Sequence, residues 1–124
     1  MHFFNLKRRI LSFKYAAQGI KWAFSTQVNL WIHLLAALCA ILLAFYFNIT
    51  KNEWVIIILC IVAVFTVEFI NTAFEWIVDS IYKEKHPVAG KIKDVAAAAV
   101  IIVAIGVAVI GVIIFYPYFK EKFF

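Results

Sequence analysis

Three long apolar blocks constrain this chain more than any other feature: Leu30–Phe47, Trp54–Tyr82 and Val95–Phe119. A helix needs about 20 mostly apolar residues to cross the hydrocarbon core of a bilayer. Only helices or closed barrels satisfy their backbone there. The blocks lack the strict alternation of barrel strands, so they predict three transmembrane helices. Composition closes the alternatives. Of 124 residues, 66% are hydrophobic and only 15% are charged, against about 25% in an average soluble domain. That polar minority is too small to clothe a soluble enzyme, so a soluble globular fold, a disordered chain and a disulfide scaffold are all excluded. The expected fold is an all-α membrane protein, a single domain over residues 1–124. The second block would be about 43 Å long as a helix, so it should project past the membrane at one end.

Basic residues set the expected orientation. Lys7, Arg8, Arg9, Lys14 and Lys21 precede the first block, and Lys83, Lys85, Lys91 and Lys93 lie between the second and third. Only Lys51, Lys120 and Lys122 lie on the other side. Nine against three places the N-terminus in the bacterial cytoplasm and the C-terminus outside the inner membrane. Within residues 4–26, Leu6, Ile10, Phe13, Ala17, Ile20 and Phe24 recur at helical spacing with basic residues mostly between them. This predicts an amphipathic helix on the inner membrane surface, anchored to anionic lipid. The basic part lies too far from the apolar stretch for a cleavable signal peptide. Cys39 and Cys60 read as small apolar residues inside spans. The one turn-rich stretch is Lys83–Lys93, with Pro87 and Gly90.

The first block has His33 as its one conspicuously polar member, whereas several polar residues interrupt the second block, and they do so in register. With Glu68 at zero and about 100° per residue, Asn71, Thr72, Glu75 and Asp79 all fall within about 60° of it. They form a polar stripe that starts in the bilayer and opens at its cytoplasmic face, while Phe69, Phe74, Trp76 and Val78 are expected opposite. Interhelical hydrogen bonding explains Asn71 and Thr72. It does not explain three stacked carboxylates, which repel one another unless cations or a metal compensate them. Intramembrane carboxylates mark functional sites by default. Lys93 and Asp94 enter the third block at the depth of Glu75 and Asp79. The constellation offers a deep carboxylate as a general base, carboxylates nearer water that suit Mg²⁺, and cations for an anionic ligand. A lipid hydroxyl arriving from the bilayer would there meet a nucleotide arriving from the cytoplasm. No glycine-rich phosphate loop is present, which excludes a P-loop or protein-kinase-type site.

The segment Glu68-Phe-Ile-Asn71-Thr72-Ala73-Phe-Glu75-Trp-Ile-Val-Asp79 resembles the signature of the prokaryotic membrane diacylglycerol kinase and undecaprenol kinase family. His86-Pro87, Lys93-Asp94-Val95-Ala96-Ala97, Arg8…Tyr15…Gly19 and Asn29…His33-Leu34 extend the likeness over nearly the whole chain. The resemblance implies a homotrimer that phosphorylates a lipid hydroxyl with ATP and Mg²⁺ at sites shared between protomers. Glu68 matches the general base. Asn71, Lys93 and Asp94 match residues around the phosphates and the catalytic centre. Glu75 matches a metal-binding glutamate. Arg8, Tyr15 and Glu84-Lys85-His86 match nucleotide-contacting positions, and Asp79 joins the cofactor-binding set. No nucleic acid is implied. The Asn71-Thr72-Ala73 wording and His86-Pro87 look more like the undecaprenol kinase branch.

Two positions depart from the pattern. Gln27 stands where the family usually carries a second metal-binding Glu, and Ala16 stands where some members have Ser. An amide oxygen can still ligate Mg²⁺, without charge, so weaker metal binding is expected. Two other classes compete. A small proton-coupled transporter would use one membrane Glu but has no need of Asn71, Glu75, Asp79, Lys93 or a basic surface helix. A holin-like pore peptide would tolerate Glu68→Gln.

Overall fold

The computed structural model describes residues 5–124 and consists of four helices: α1 (Leu6–Thr26), α2 (Val28–Phe47), α3 (Lys51–Ile81) and α4 (Pro87–Phe123). Residue 4, the expected start of the surface helix, lies outside the described residues. Three helices, α2, α3 and α4, are long and apolar enough to cross a membrane. The first two follow the predicted spans to within three residues at either end. The third is much longer than residues 95–119, because its 37 residues begin at Pro87 and extend about 55 Å.

Local chemistry explains each break. Asn48 ends α2 in the left-handed region at φ 54°, a conformation that Asn tolerates better than most residues. Thr50 then starts α3 with a capping box. The Glu53 N–H donates to Thr50 Oγ1 at 3.2 Å, and the Thr50 N–H donates to Glu53 Oε1 at 3.0 Å. His86 caps α4 by accepting from the Val88 N–H at 3.1 Å. Pro87 sits at the first helical position, where its missing N–H costs nothing. That start adds two turns to α4 and places Lys93 inside the helix instead of in a loop.

The chain folds back on itself, so its connections alternate between two ends. The α1–α2 corner and the α3–α4 turn share the charge-rich end. The α2–α3 turn and the C-terminus share the other. At this second end Ala44, Ile49, Ile57, Ile114 and Phe115 form the apolar core, flanked by Phe47, Trp54 and Phe119. The Tyr118 hydroxyl donates to Glu53 Oε1, so one carboxylate both caps α3 and ties it to α4. Phe47 stacks on Tyr118 at 5.6 Å, and Lys122 lies 4.1 Å over the Tyr46 ring. Along the bundle α4 packs chiefly on α3, and α3 also packs on α2.

Most large apolar side chains point outward. On α4, Ile101, Ile102, Ile105, Val109, Val112 and Ile113 are all at least half exposed, a surface suited to lipid or to further protein. Helix α1 joins the bundle at its C-terminal end. There Ala23 is buried, and Phe24 meets Trp31 edge-on at 5.2 Å and lies near Phe65 and Phe69. The Trp31 indole N–H donates to the Phe24 carbonyl at 2.9 Å and fixes the corner. Leu6, Ile10, Phe13 and Ile20 remain exposed.

Thr50→Ala should cost about 1 kcal/mol of stability through loss of the cap. Denaturant unfolding in detergent micelles measures this.

Candidate active site

Burial falls steadily along the polar stripe of α3. Glu68 is 0% exposed, Thr72 3% and Asn71 6%, while Glu75 is half-buried and Asp79 is exposed. The stripe therefore runs from a sealed interior to the charge-rich end, as the angular spacing predicts. Its supposed opposite face is less uniform. Phe74 and Trp76 are exposed, but Val78 is buried and Phe69 packs near Phe24. The reason is that α3 has neighbours on both flanks, α2 on one and α4 on the other, so much more than a single stripe is covered.

The polar side chains meet different partners. Glu68 faces α2, with Oε2 3.6 Å from His33 Nε2, and neither of its carboxylate oxygens accepts a hydrogen bond. Thr72 turns its hydroxyl back on its own helix and donates to the Glu68 carbonyl at 2.9 Å. Glu75 is bracketed by two amides: Asn71 Nδ2 donates to Oε1 at 3.3 Å, and Gln27 Nε2 donates to Oε2 at 3.4 Å. Gln27 can do this because it is the single residue between α1 and α2, ending one helix and preceding the other. The Asn71 carbonyl oxygen is buried without a partner, and Asn71 lines a groove of about 450 Å³ between α3 and α4 with Lys91, Val95 and Ala96. Asp79 faces α4 and forms an ion pair with Lys93, 2.5 Å between Oδ1 and Nζ.

An open pocket of about 650 Å³ lies below this stripe, at the charge-rich end. Asp79, Glu84, Lys85, His86 and Lys93 line it, with Tyr82 as an aromatic wall. The Tyr82 and His86 rings are 4.9 Å apart. Five predicted site residues thus come together around one opening. His86 also caps α4, so the pocket rim and the helix start share a side chain.

Glu68, Asn71, Glu75 and Gln27 lie further along the stripe, and three predicted residues join neither the stripe nor the pocket. Asp94 is exposed one position beyond Lys93, and 100° of helical rotation separates their side chains. Arg8 and Tyr15 are exposed on the outer half of α1, where residues 5–18 are all exposed. Arg8 is about 28 Å along the helix from Gln27, and Tyr15 about 18 Å. Spacing within one chain cannot bring them to the carboxylates. Among the described residues, no three His, Cys, Asp or Glu side chains gather closely enough to hold a metal by themselves.

Residue-by-residue reading missed the contact between His33 and Glu68. The signal was present, since His33 is the one conspicuously polar residue of the first block, but only the packing of α2 on α3 gives it a partner. The Gln27–Glu75 hydrogen bond was likewise invisible, because 48 residues separate the two.

A buried, unsatisfied carboxylate above a pocket lined by charges of both signs, on helices long and apolar enough to cross a membrane, marks a site for polar chemistry. Comparison with known proteins assigns it more narrowly. The profile of the prokaryotic diacylglycerol kinase family matches residues 14–115. The undecaprenol kinase of Bacillus subtilis is 38% identical over 113 residues, covering 91% of this chain and 92% of that protein. The diacylglycerol kinase of Haemophilus influenzae is 34% identical over 109 residues, covering 88% and 90%. That of Escherichia coli K12 is 34% identical over 96 residues, covering 77% and 78%. The chain belongs to the prokaryotic diacylglycerol kinase family. It is a membrane lipid kinase that uses ATP, and nothing in these matches supports a proton-coupled transporter.

The Asp79–Lys93 pair is open to solvent, so its contribution to stability is small. Lys93→Met should leave the thermal unfolding midpoint in detergent unchanged while lowering phosphotransfer about 100-fold, the scale of losing one aimed charge from such a site. Calorimetry or fluorescence melting, paired with an activity assay, checks the two readouts separately.

Proposed function

We propose that this lipid kinase moves the γ-phosphate of ATP to the hydroxyl of a polyprenol, with Glu68 as the general base. The single observation that carries the reading is the burial of Glu68 with both carboxylate oxygens unsatisfied. A buried acceptor without a donor is costly, and a substrate hydroxyl supplies the missing donor. In the transfer, the lipid O–H bond breaks and its proton passes to Glu68. The freed oxygen bonds to the γ-phosphorus as the bond to the bridging oxygen breaks, and ADP leaves. Phosphoryl transfer asks the protein mostly for position and charge compensation. Lys93 and Lys85 supply positive charge at the pocket, and Tyr82 offers a face for the nucleotide base. Glu84 and His86 line the same wall.

The residues present fit a Mg²⁺ ion of the usual kind, which takes one or two carboxylates and fills its shell with phosphate oxygens and water. Glu75 would hold it, and Gln27 stands beside Glu75 as a neutral donor. The bound ion would neutralise charge on the phosphates. Asn71 orients the Glu75 carboxylate through its amide. Asp79 holds Lys93 in place.

Two further elements complete the proposal. The enzyme works as a homotrimer, in which neighbouring copies cover the exposed apolar faces and bring Arg8, Tyr15 and Asp94 toward a nucleotide. The long distance from Arg8 to Gln27 within one chain supports this sharing. The charge-rich end faces the cytoplasm, where ATP is available, with the C-terminus outside and α1 lying on the inner surface as an amphipathic anchor. The excess of lysine and arginine at that end supports this orientation. The polyprenol preference draws on the Asn71-Thr72-Ala73 and His86-Pro87 wording and on the identity to a relative named undecaprenol kinase.

The test is γ-labelled ATP with detergent-solubilised protein and separate pools of undecaprenol and diacylglycerol. Label is expected in undecaprenol phosphate above phosphatidic acid, and Glu68→Gln should lower the rate about 10²–10⁴-fold. Failure to label either lipid in excess Mg²⁺ overturns the activity, and an equal rate in Glu68→Gln overturns the base. A Mg²⁺ titration addresses Gln27 separately. Gln27→Glu should lower the Mg²⁺ concentration needed for half-maximal activity, and an unchanged requirement removes Gln27 from the metal shell.

A further inference from the structure

Among the described residues, Glu68 has one polar side chain paired with it from another helix. That side chain is His33, and the separation of 3.6 Å lies just beyond hydrogen-bond reach. His33 is itself mostly covered, with 18% of its side chain exposed. On its other side it lines an apolar cavity of about 290 Å³ between α2, α3 and α4, walled by Ala37, Ala40, Val64, Ala104 and Ala108. Cys60 is the only other titratable group on that wall. An imidazole gains little from such surroundings by packing alone, because polar groups are costly to bury without a partner. Its one available partner is the carboxylate.

We infer that His33 is a positioning residue for Glu68. It reaches across from α2 to aim the carboxylate at the substrate hydroxyl. The imidazole N–H at Nε2 donates to Oε2, which leaves the other oxygen to take the hydroxyl proton. Catalytic hydrogen bonds commonly tighten as substrate settles, and a 3.6 Å approach needs only a small movement to close. The link also gives the site its second tie to α2. Gln27 holds Glu75 just before the helix begins, and His33 meets Glu68 nearly two turns further on. Two polar contacts thus set the rotation of α3 against α2 at the place where chemistry occurs. Because His33 also borders the apolar cavity, it stands between the base and a space that opens toward the far half of the bundle. A lipid with its hydroxyl at Glu68 would run its hydrocarbon in that direction.

The inference rests on Glu68 being the base, and the test separates the two. In detergent-solubilised full-length protein, His33→Leu should lower kcat ten- to a hundredfold, the scale of a misdirected base. The KM for MgATP should stay within about twofold, since the nucleotide pocket is elsewhere. His33→Gln keeps an N–H donor at similar reach and should restore most of kcat, whereas His33→Asn, one methylene shorter, should not. In a Glu68→Gln background, His33→Leu should lower the residual rate no further, because residues that act as a unit are not additive. Wild-type kcat in His33→Leu overturns the inference, as does an undiminished further loss in the Glu68→Gln background. If His33→Leu does not fold, the Gln-against-Asn comparison decides in the same way: equal rates overturn the inference. Should Glu68→Gln itself retain full activity, the base assignment fails first.

Discussion

The structure turns on one expensive act, the burial of a carboxylate on a helix that crosses lipid. Charge in a low-dielectric interior is tolerated only with compensation. Around Glu68 that compensation is thin, a single imidazole and no hydrogen bond to either oxygen. The rest of the polar architecture can be read as the graded relief of this cost. Going toward the charge-rich end, Glu75 gains two amide donors and Asp79 gains a lysine. Demand for a partner is therefore greatest where the lipid hydroxyl would arrive and least where water already enters.

Helix α3 can carry this gradient because it lies between two others. It packs on α4 along most of its length and on α2 along its other flank. The two ends of the bundle then do different work. At one end, the Thr50 cap, Glu53 and Tyr118 lock α3 to α4 beside a small aromatic and aliphatic core. At the other, contacts are polar and the pocket at the α3–α4 turn stays open. A well-packed end and an open, polar end on one helix suit an enzyme that takes a lipid and ATP.

Much of this was legible in the residues. Apolar block length marked three spans, and the angular spacing of Glu68, Asn71, Thr72, Glu75 and Asp79 put them on one face. The Glu68–Asp79 segment and Lys93-Asp94 pointed to the family that the comparisons establish. Boundaries were less legible. Val95–Phe119 understated α4 because Lys91, Lys93 and Asp94 interrupt hydropathy without interrupting a helix. Lysine is a good helix former and can reach water with its long side chain, so composition marks the membrane and not the end of the helix. Phe69 and Val78, expected on the face opposite the stripe, are packed for a related reason. A helix with neighbours on two sides buries a wider arc than a single stripe predicts.

By itself the amino-acid sequence determined the number of apolar spans and the polar face, because each depends on residue type and on periodicity along one chain, and its motifs carried the resemblance to the family. Only the tertiary structure decided who meets whom. It set His33 beside Glu68, turned Gln27 onto Glu75 and joined Lys93 to Asp79. It also left Arg8 and Tyr15 far out on α1, although they resemble residues of the same site. These outcomes depend on how helices rotate and cross, which side-chain packing between distant segments determines and local sequence does not record.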